Sequence, residues 1–381
     1  MFAMLVTAGC GASQGSSKSG DERSEMSVHQ SGSWKKLSKA PVGSWKPEGA
    51  FWIKNRLVVV AGSTIEAWDP QRDEWKVVAE IPQAEQCEGC GRSETVVWTG
   101  EELLLWGGGF SYRASDGRAH AGASVDLEGN VAPLPEAPIR PRWWHTAVWT
   151  GEEMIVWGGA CGRHECRDGA AYDPENGLWR RIAEAPMPGY AHTAVWTGRE
   201  LIVWGGSDDH ESEGTKGCVT SFIVDGAAYD PAKDSWRVLS ASPLSARGWH
   251  SAVWTGSEMI VWGGATGLGC DYGYPSDGAA YDPATDSWRP LPSSPLSGRV
   301  EASAVWTGSE MIVWGGSTHG RDITLKDGAE FGSSRNDWRK LPEAPVKSRA
   351  LHAATWTGEE MIVWGGCCYF ADGAAFAPAD M

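Results

Sequence analysis

Seven versions of one eleven-residue stretch constrain this chain more than any other feature of it. WTGEEMIVWGG, Trp149 to Gly159, recurs as WTGEELLLWGG from Trp98, WTGRELIVWGG from Trp196, WTGSEMIVWGG from Trp254 and Trp306, and WTGEEMIVWGG from Trp356. A degenerate copy, WIKNRLVVVAG, begins at Trp52. Repetition at a period of roughly 50 residues marks an architecture in which one supersecondary unit is stacked on copies of itself, because a single unit cannot bury its own apolar faces.

The unit reads as four short strands. HTAVW, His145 to Trp149, is extended; Thr-Gly is a tight-turn pair; Met-Ile-Val-Trp is a second strand, apolar without alternation and therefore covered on both faces. Gly158-Gly159 ends it where a backbone approaches closely or a conformation open to glycine is needed. A loop of variable length leads to DGAAYDP (Asp168 to Pro174), a third strand, and LWRRIAEAP (Leu178 to Pro186) is a fourth. Four antiparallel strands make one blade of a propeller.

These residues resemble the Kelch family of β-propellers. The resemblance rests on the Gly-Gly doublet, an aromatic after it, and a tryptophan seven positions beyond that aromatic: Tyr172 with Trp179, Tyr229 with Trp236, Tyr281 with Trp288, Phe331 with Trp338, Trp68 with Trp75. Arg-x-x-His, as in Arg142 with His145, Arg247 with His250 and Arg349 with His352, is also family-like. It covers nearly all of the chain from Ser33 onward. It implies an all-β, seven-bladed Kelch-type propeller with four antiparallel strands per blade; for function it implies little, because propellers host unrelated activities.

The blade count follows from bookkeeping along the chain. The last hairpin is followed by DGAAFAPADM, a third strand without a fourth, while Ser33 to Pro41 (SWKKLSKAP) matches the fourth strands elsewhere. The N-terminal strand is therefore expected to close the C-terminal blade, leaving no open edge. Residues 33–381 form the propeller. Residues 1–9 resemble a signal peptide too short to span a membrane, and Thr7-Ala8-Gly9-Cys10 resembles a bacterial lipobox with Cys10 as the lipidated residue. Residues 10–32 are then that cysteine and a Ser/Gly-rich tether. An ordinary cytosolic N-terminus is the competing reading. A net charge of −16 with no long basic run argues against nucleic acid and anionic lipid as partners, so contact with a membrane is expected only through the anchor. A monomer in the bacterial cell envelope is the resulting expectation.

Differences between repeats point to the working face. The loop after Gly-Gly and the segment entering the next blade emerge on one face and vary; the longest insertion is Ser207 to Val224, with others at Gly109 to Ala121 and Ala265 to Ser276. Binding surfaces are built on such loops. The eight cysteines other than Cys10 fall on this face, and an even count in an exported chain reads as disulfides. Cys161 pairs with Cys166 and Cys218 with Cys270 on this reading, while Cys87 and Cys90 join each other or Cys367 and Cys368. A metal site from CEGC, the Cys367-Cys368 pair and His164 is the weaker alternative, and no metal or other cofactor is expected.

Candidate ligand contacts follow from the repeat and its departures. Arg142, Arg247, Arg299 and Arg349 are expected near the channel mouth, where guanidinium groups can hold a carboxylate. His145, His192, His250 and His352 read as structural. Blade 4 offers Tyr190 in place of an arginine motif, blade 6 offers Glu301, and Trp144 and Trp249 lie beside the arginines; an aromatic and charged rim suits a sugar or peptide. Asp208-Asp209-His210-Glu211 reads as a solvated acidic loop before a cation site. The expected function is non-catalytic binding of a protein or glycan partner. The alternative is a carbohydrate enzyme: a sialic-acid-epimerase-like propeller using these arginines with Glu94 and Glu301, and more remotely a galactose-oxidase-like copper enzyme, whose two-tyrosine, two-histidine ligand set finds no match here.

Overall fold

The computed structural model describes residues 32–41, 47–81, 95–108, 112–113, 119–161, 165–207, 221–268, 271–318, 323–367 and 370–379. Among these there are strands, bridges and turns but no helix, and hence no helix long and apolar enough to cross a membrane. Cys10, the tether, Cys87, Cys90, Glu94, His164, residues 208–211, Cys218, Cys270 and Cys368 lie outside the described residues.

Seven four-stranded antiparallel sheets are arranged in chain order. Blade 3 shows the pattern: Thr146–Trp149, Met154–Trp157, Gly169–Asp173 and Leu178–Ile182 pair sequentially. Blade 1 runs from Gly49–Ile53 to Glu74–Glu80, and blade 7 uses Ala353–Trp356, Met361–Trp364 and Gly373–Ala377. Its fourth strand is Ser33–Lys36, paired with Gly373–Ala377 in the register Trp34 opposite Phe376. The expected closure by the N-terminal strand is therefore present. First strands of successive blades neighbour one another in an unbroken ring, blade 7 against blade 1 included, so they surround the central channel.

The unalternating apolarity of the second strand has a direct structural cause. In blade 3, Met154 and Val156 pack with Leu104 and Trp106 of blade 2, while Ile155 and Trp157 pack with Leu201 and Val203 of blade 4. Each face of the sheet meets another sheet, so both sets of side chains leave water. The tryptophan ending this strand is 0 or 1% exposed in blades 2 to 7, and burying an indole of 150–250 Å² is worth about 5 kcal/mol in transfer free energy. Each of these six meets the fourth-strand tryptophan of the following blade, as in Trp157 with Trp236 (5.2 Å between ring centroids) and Trp314 with Trp34 (5.7 Å).

The seven-residue spacing of aromatics also resolves into geometry. Tyr172 and Trp179 are opposite one another across the third and fourth strands, with centroids 5.0 Å apart. The fourth-strand indole then donates backwards: Trp179 to the Pro135 carbonyl at 3.1 Å, Trp236 to Ala183 at 2.8 Å, Trp34 to Pro342 at 3.0 Å. One residue type thus serves cross-strand pairing, inter-blade packing and a hydrogen bond to the preceding blade.

Candidate ligand site at the axial mouth

The doublet of glycines shapes the loop-bearing end of the channel. Gly158 has φ 71° and Gly159 φ 88°; a Cβ on Gly158 would lie 2.8 Å from the Gly189 carbonyl oxygen, and one on Gly159 2.5 Å from that of Trp143. Positive φ and close backbone, that of the next blade at Gly158 and that of its own blade at Gly159, both require glycine here. The second glycine donates to the next blade in several places, Gly206 N to Arg247 O at 2.8 Å and Gly316 N to Arg349 O at 2.9 Å.

The four arginines correct an expectation. Arg142, Arg247, Arg299 and Arg349 are 0 or 1% exposed. Each guanidinium donates to the carbonyl of the first glycine of the doublet in its own blade: Gly158 at 3.3 Å, Gly263 and Gly315 at 3.1 Å, Gly365 at 2.9 Å. Each also meets the aspartate just before the third strand, at 2.7 or 2.8 Å to Asp168, Asp277, Asp327 and Asp372. Arg349 additionally lies over the Phe370 ring, 4.5 Å from its centroid. These side chains clamp the loop between second and third strands; a buried guanidinium saturated this way is not available to a ligand.

The histidines form a belt beneath the mouth. Nε2 of His145, His192, His250 and His352 lies 2.8, 3.0, 2.6 and 2.7 Å from Thr95, Thr146, Thr193 and Ser303 of the preceding blade. Burial lowers all four to a pKa of about 3, with the adjacent arginine adding to the effect at His145, His250 and His352. In blade 6 this position is Ala302, whose carbonyl instead accepts a 3.0 Å hydrogen bond from the Ser251 hydroxyl.

Between arginine and histidine positions sits a residue with left-handed backbone in every blade from 3 to 7: Trp144 (φ 59°), Ala191 (56°), Trp249 (54°), Glu301 (57°) and Leu351 (56°). None is glycine, and each costs of order 1 kcal/mol or more. The conformation turns the amide toward the neighbouring blade, so that Trp249 N donates to Ala191 O, Glu301 N to Trp249 O and Leu351 N to Glu301 O at 2.9, 3.3 and 3.4 Å. The side chains of Trp144, Trp249, Glu301 and Leu351, with Pro47, converge on one cavity of about 270 Å³. Strain held in residues that line a concave site is a recognised mark of function.

The rim is braced from outside. Trp249 meets Phe222 edge-on at 5.5 Å and Tyr272 at 5.7 Å, and Trp144 meets Tyr190 at 6.3 Å. Tyr190 therefore supports a rim tryptophan and does not line the cavity. Glu301 accepts at 3.5 Å from the Ser317 hydroxyl. Two half-buried indoles, an aliphatic chain and a carboxylate surround the space; its histidine edges are neutral, and among the described lining residues there is no cation.

Cys161 and Cys166 are paired as a disulfide, with Cα atoms 5.8 Å apart. With Asp168 their donor atoms lie within 4.8 Å of one another; the joined sulfurs leave no thiolate for a metal ion. The sulfur of Cys367 accepts from Ala350 N at 3.4 Å.

Trp144, Trp249 and Glu301, expected as ligand contacts from the sequence, line this cavity together with Leu351 and Pro47, which the sequence did not single out. A signal for Leu351 existed: the position before the histidine is constant in place and variable in kind (Trp144, Ala191, Trp249, Glu301, Leu351) within repeats that are otherwise nearly identical.

Fold and site together define a β-propeller whose variable rim surrounds one end of its channel. The chain belongs to the Kelch-repeat family: residues 92–295 and, overlapping them, 249–377 match the KLHDC2/KLHL20/DRC7 Kelch-repeats domain. The solved structure of YjhT is similar in fold at 16% sequence identity, with a TM-score of 0.56 over 75% of this chain and 93% of that one. Among curated proteins none matches the chain.

Proposed function

We propose that this Kelch propeller is a non-catalytic binding module that holds a neutral glycan at its axial mouth, on an exported domain anchored to the bacterial envelope through Cys10. The observation that carries the reading is the convergence of Trp144, Trp249, Glu301 and Leu351 from four blades on one cavity, each held in a left-handed backbone conformation. A volume of about 270 Å³ suits one sugar ring. Indole faces stack on sugar C–H surfaces, and a carboxylate accepts from hydroxyls.

The charge of the lining favours a neutral ligand over an acidic sugar. An enzyme acting on an acidic sugar needs a cation at its carboxylate, and Arg142, Arg247, Arg299 and Arg349 are committed to Gly and Asp partners. The test is calorimetric titration of the full chain with a panel of neutral and acidic oligosaccharides. Saturable binding of a neutral member, lost in Trp249→Ala and in Glu301→Gln, is the expected result; exclusive binding of acidic members, or affinity untouched by both variants, overturns it. For the anchor, metabolic labelling with a palmitate analogue that persists in Cys10→Ala would remove that part of the reading.

A further inference from the structure

A second cavity, of about 830 Å³, opens on the loop-bearing face between blades 2 and 3, and it shares no lining residue with the axial mouth. Its floor is apolar, formed by Trp106, Leu134 and Ile139. One wall is the segment 134–141, LPEAPIRP, whose three prolines offer carbonyls without N–H groups and hold the wall rigid. Arg140 and Arg181, both exposed, stand at this opening.

The repeat shows where a carboxylate has been lost from this groove. The residue before the glycine opening the third strand is Asp168, Asp225, Asp277, Asp327 and Asp372 in blades 3 to 7, but Ala121 in blade 2. Loss of that carboxylate removes both a side chain and a negative charge from the wall. Two residues before the clamping arginine stands Arg140, where blades 5 and 6 have Ser245 and Ser297 and blade 7 has Lys347. Two residues after the fourth-strand tryptophan stands Arg181, where blades 4 and 5 have Val238 and Pro290 and blades 6 and 7 have Lys340 and Lys36; only here do two guanidinium groups occupy the pair of positions.

The charges do not cancel. Three arginines, Arg140, Arg142 and Arg181, face two carboxylates, Asp168 and the exposed Glu136, and Asp168 holds Arg142 at 2.7 Å. Arg181 approaches the same aspartate at 3.6 Å, donates to the Pro138 carbonyl, and remains 61% exposed. The Arg140 guanidinium has no partner among the described residues. A pair of planar donor groups over an apolar floor, in a protein of net charge −16, is a local inversion of sign.

We propose that this cavity binds a small organic anion, its carboxylate gripped by Arg140 and Arg181 and its apolar body lying against Leu134, Ile139 and Trp106. Paired guanidinium donors match the two oxygens of a carboxylate, and the volume falls in the range of small-molecule sites. The inference does not depend on the glycan reading of the mouth.

The experiment is calorimetric titration of the full chain with benzoate, its neutral isostere benzamide, and inorganic phosphate. Benzoate is expected to bind saturably at one site, with benzamide and phosphate each at least about tenfold weaker. Arg140→Gln and Ala121→Asp should each weaken benzoate by about tenfold or more; the second restores the residue that five other blades carry, so it tests the charge without threatening the fold. Absent saturable benzoate binding, equal binding of benzamide, phosphate as tight as benzoate, or affinity unchanged in both variants would each overturn the proposal.

Discussion

Nε2 of His250 lies 2.6 Å from the hydroxyl of Thr193, a residue 57 positions earlier and one blade away. The contact is one link of a belt that His145, His192 and His352 continue with Thr95, Thr146 and Ser303. The apolar faces between blades fix distance well and sliding poorly. Buried hydrogen bonds between first strands fix the height of one blade against the next.

Acid should dismantle this belt. All four imidazoles are buried and held at a pKa of about 3, below the ordinary 6.5. The unfolded chain takes up protons below 6.5 and the folded chain does not, so stability falls as pH drops from 6.5 toward 3, by up to about 1.4 kcal/mol per unit for each histidine. Together they cost about 5 kcal/mol by pH 5.5. Urea melts at pH 7.5, 6.5 and 5.5 should show the midpoint collapsing over the last unit, less steeply in His250→Gln; a flat profile refutes the account.

Glu330 should act in the opposite sense. It occupies the third-strand place that Ala171, Ala228 and Ala280 fill elsewhere, is 4% exposed, and is raised to a pKa of about 7 by burial and by the neighbouring charge of Glu310. A raised carboxyl keeps its proton in the fold, so its contribution is lost as pH rises from 4.5 through 7. Glu330→Ala is expected to stabilise the protein at pH 8 by up to about 3 kcal/mol and to change little at pH 4.5. Equal effects at both pH values would exclude this origin.

Ring closure rests on Trp34. Its indole packs 5.1 Å from Phe376 and 5.7 Å from Trp314 and donates to Pro342 O. Trp34→Ala should cost about 3 kcal/mol, comparable with Trp236→Ala between blades 3 and 4. Removal of residues 32–41 exposes the edge of Gly373–Ala377 and should add self-association to a lowered Tm, read by calorimetry and sedimentation. A chain that melts unchanged without this strand would show the closure to be dispensable.

Strain at the mouth should trade against binding. Glu301 holds φ 57°, a conformation glycine adopts freely. Glu301→Gly is expected to raise stability by about 1 kcal/mol while abolishing the proposed glycan affinity, whereas Glu301→Gln leaves stability near that of the parent and loses that affinity alone. Destabilisation by the glycine would mean that the left-handed turn is not strained.

Much of the architecture was legible because it is local and repeated. The Gly-Gly doublets, the apolar second strands and the seven-residue aromatic spacing encode one blade each time they occur, and SWKKLSKAP matched the missing fourth strand residue by residue, so blade number and closure followed from counting. The fate of the arginines did not follow. Whether Arg247 faces a ligand or a loop depends on Asp277 and Gly263 folding back onto it from 30 and 16 positions away. Nor do the letters Trp249, Glu301 or Leu351 announce a left-handed backbone, since that conformation is held by hydrogen bonds to the neighbouring blade and runs against the residues' own preference. Local pattern determined which strands form and how many blades there are. Packing between blades decided which polar groups water and ligands can still reach, because burial and partner choice are properties of surfaces that exist only once the ring is closed.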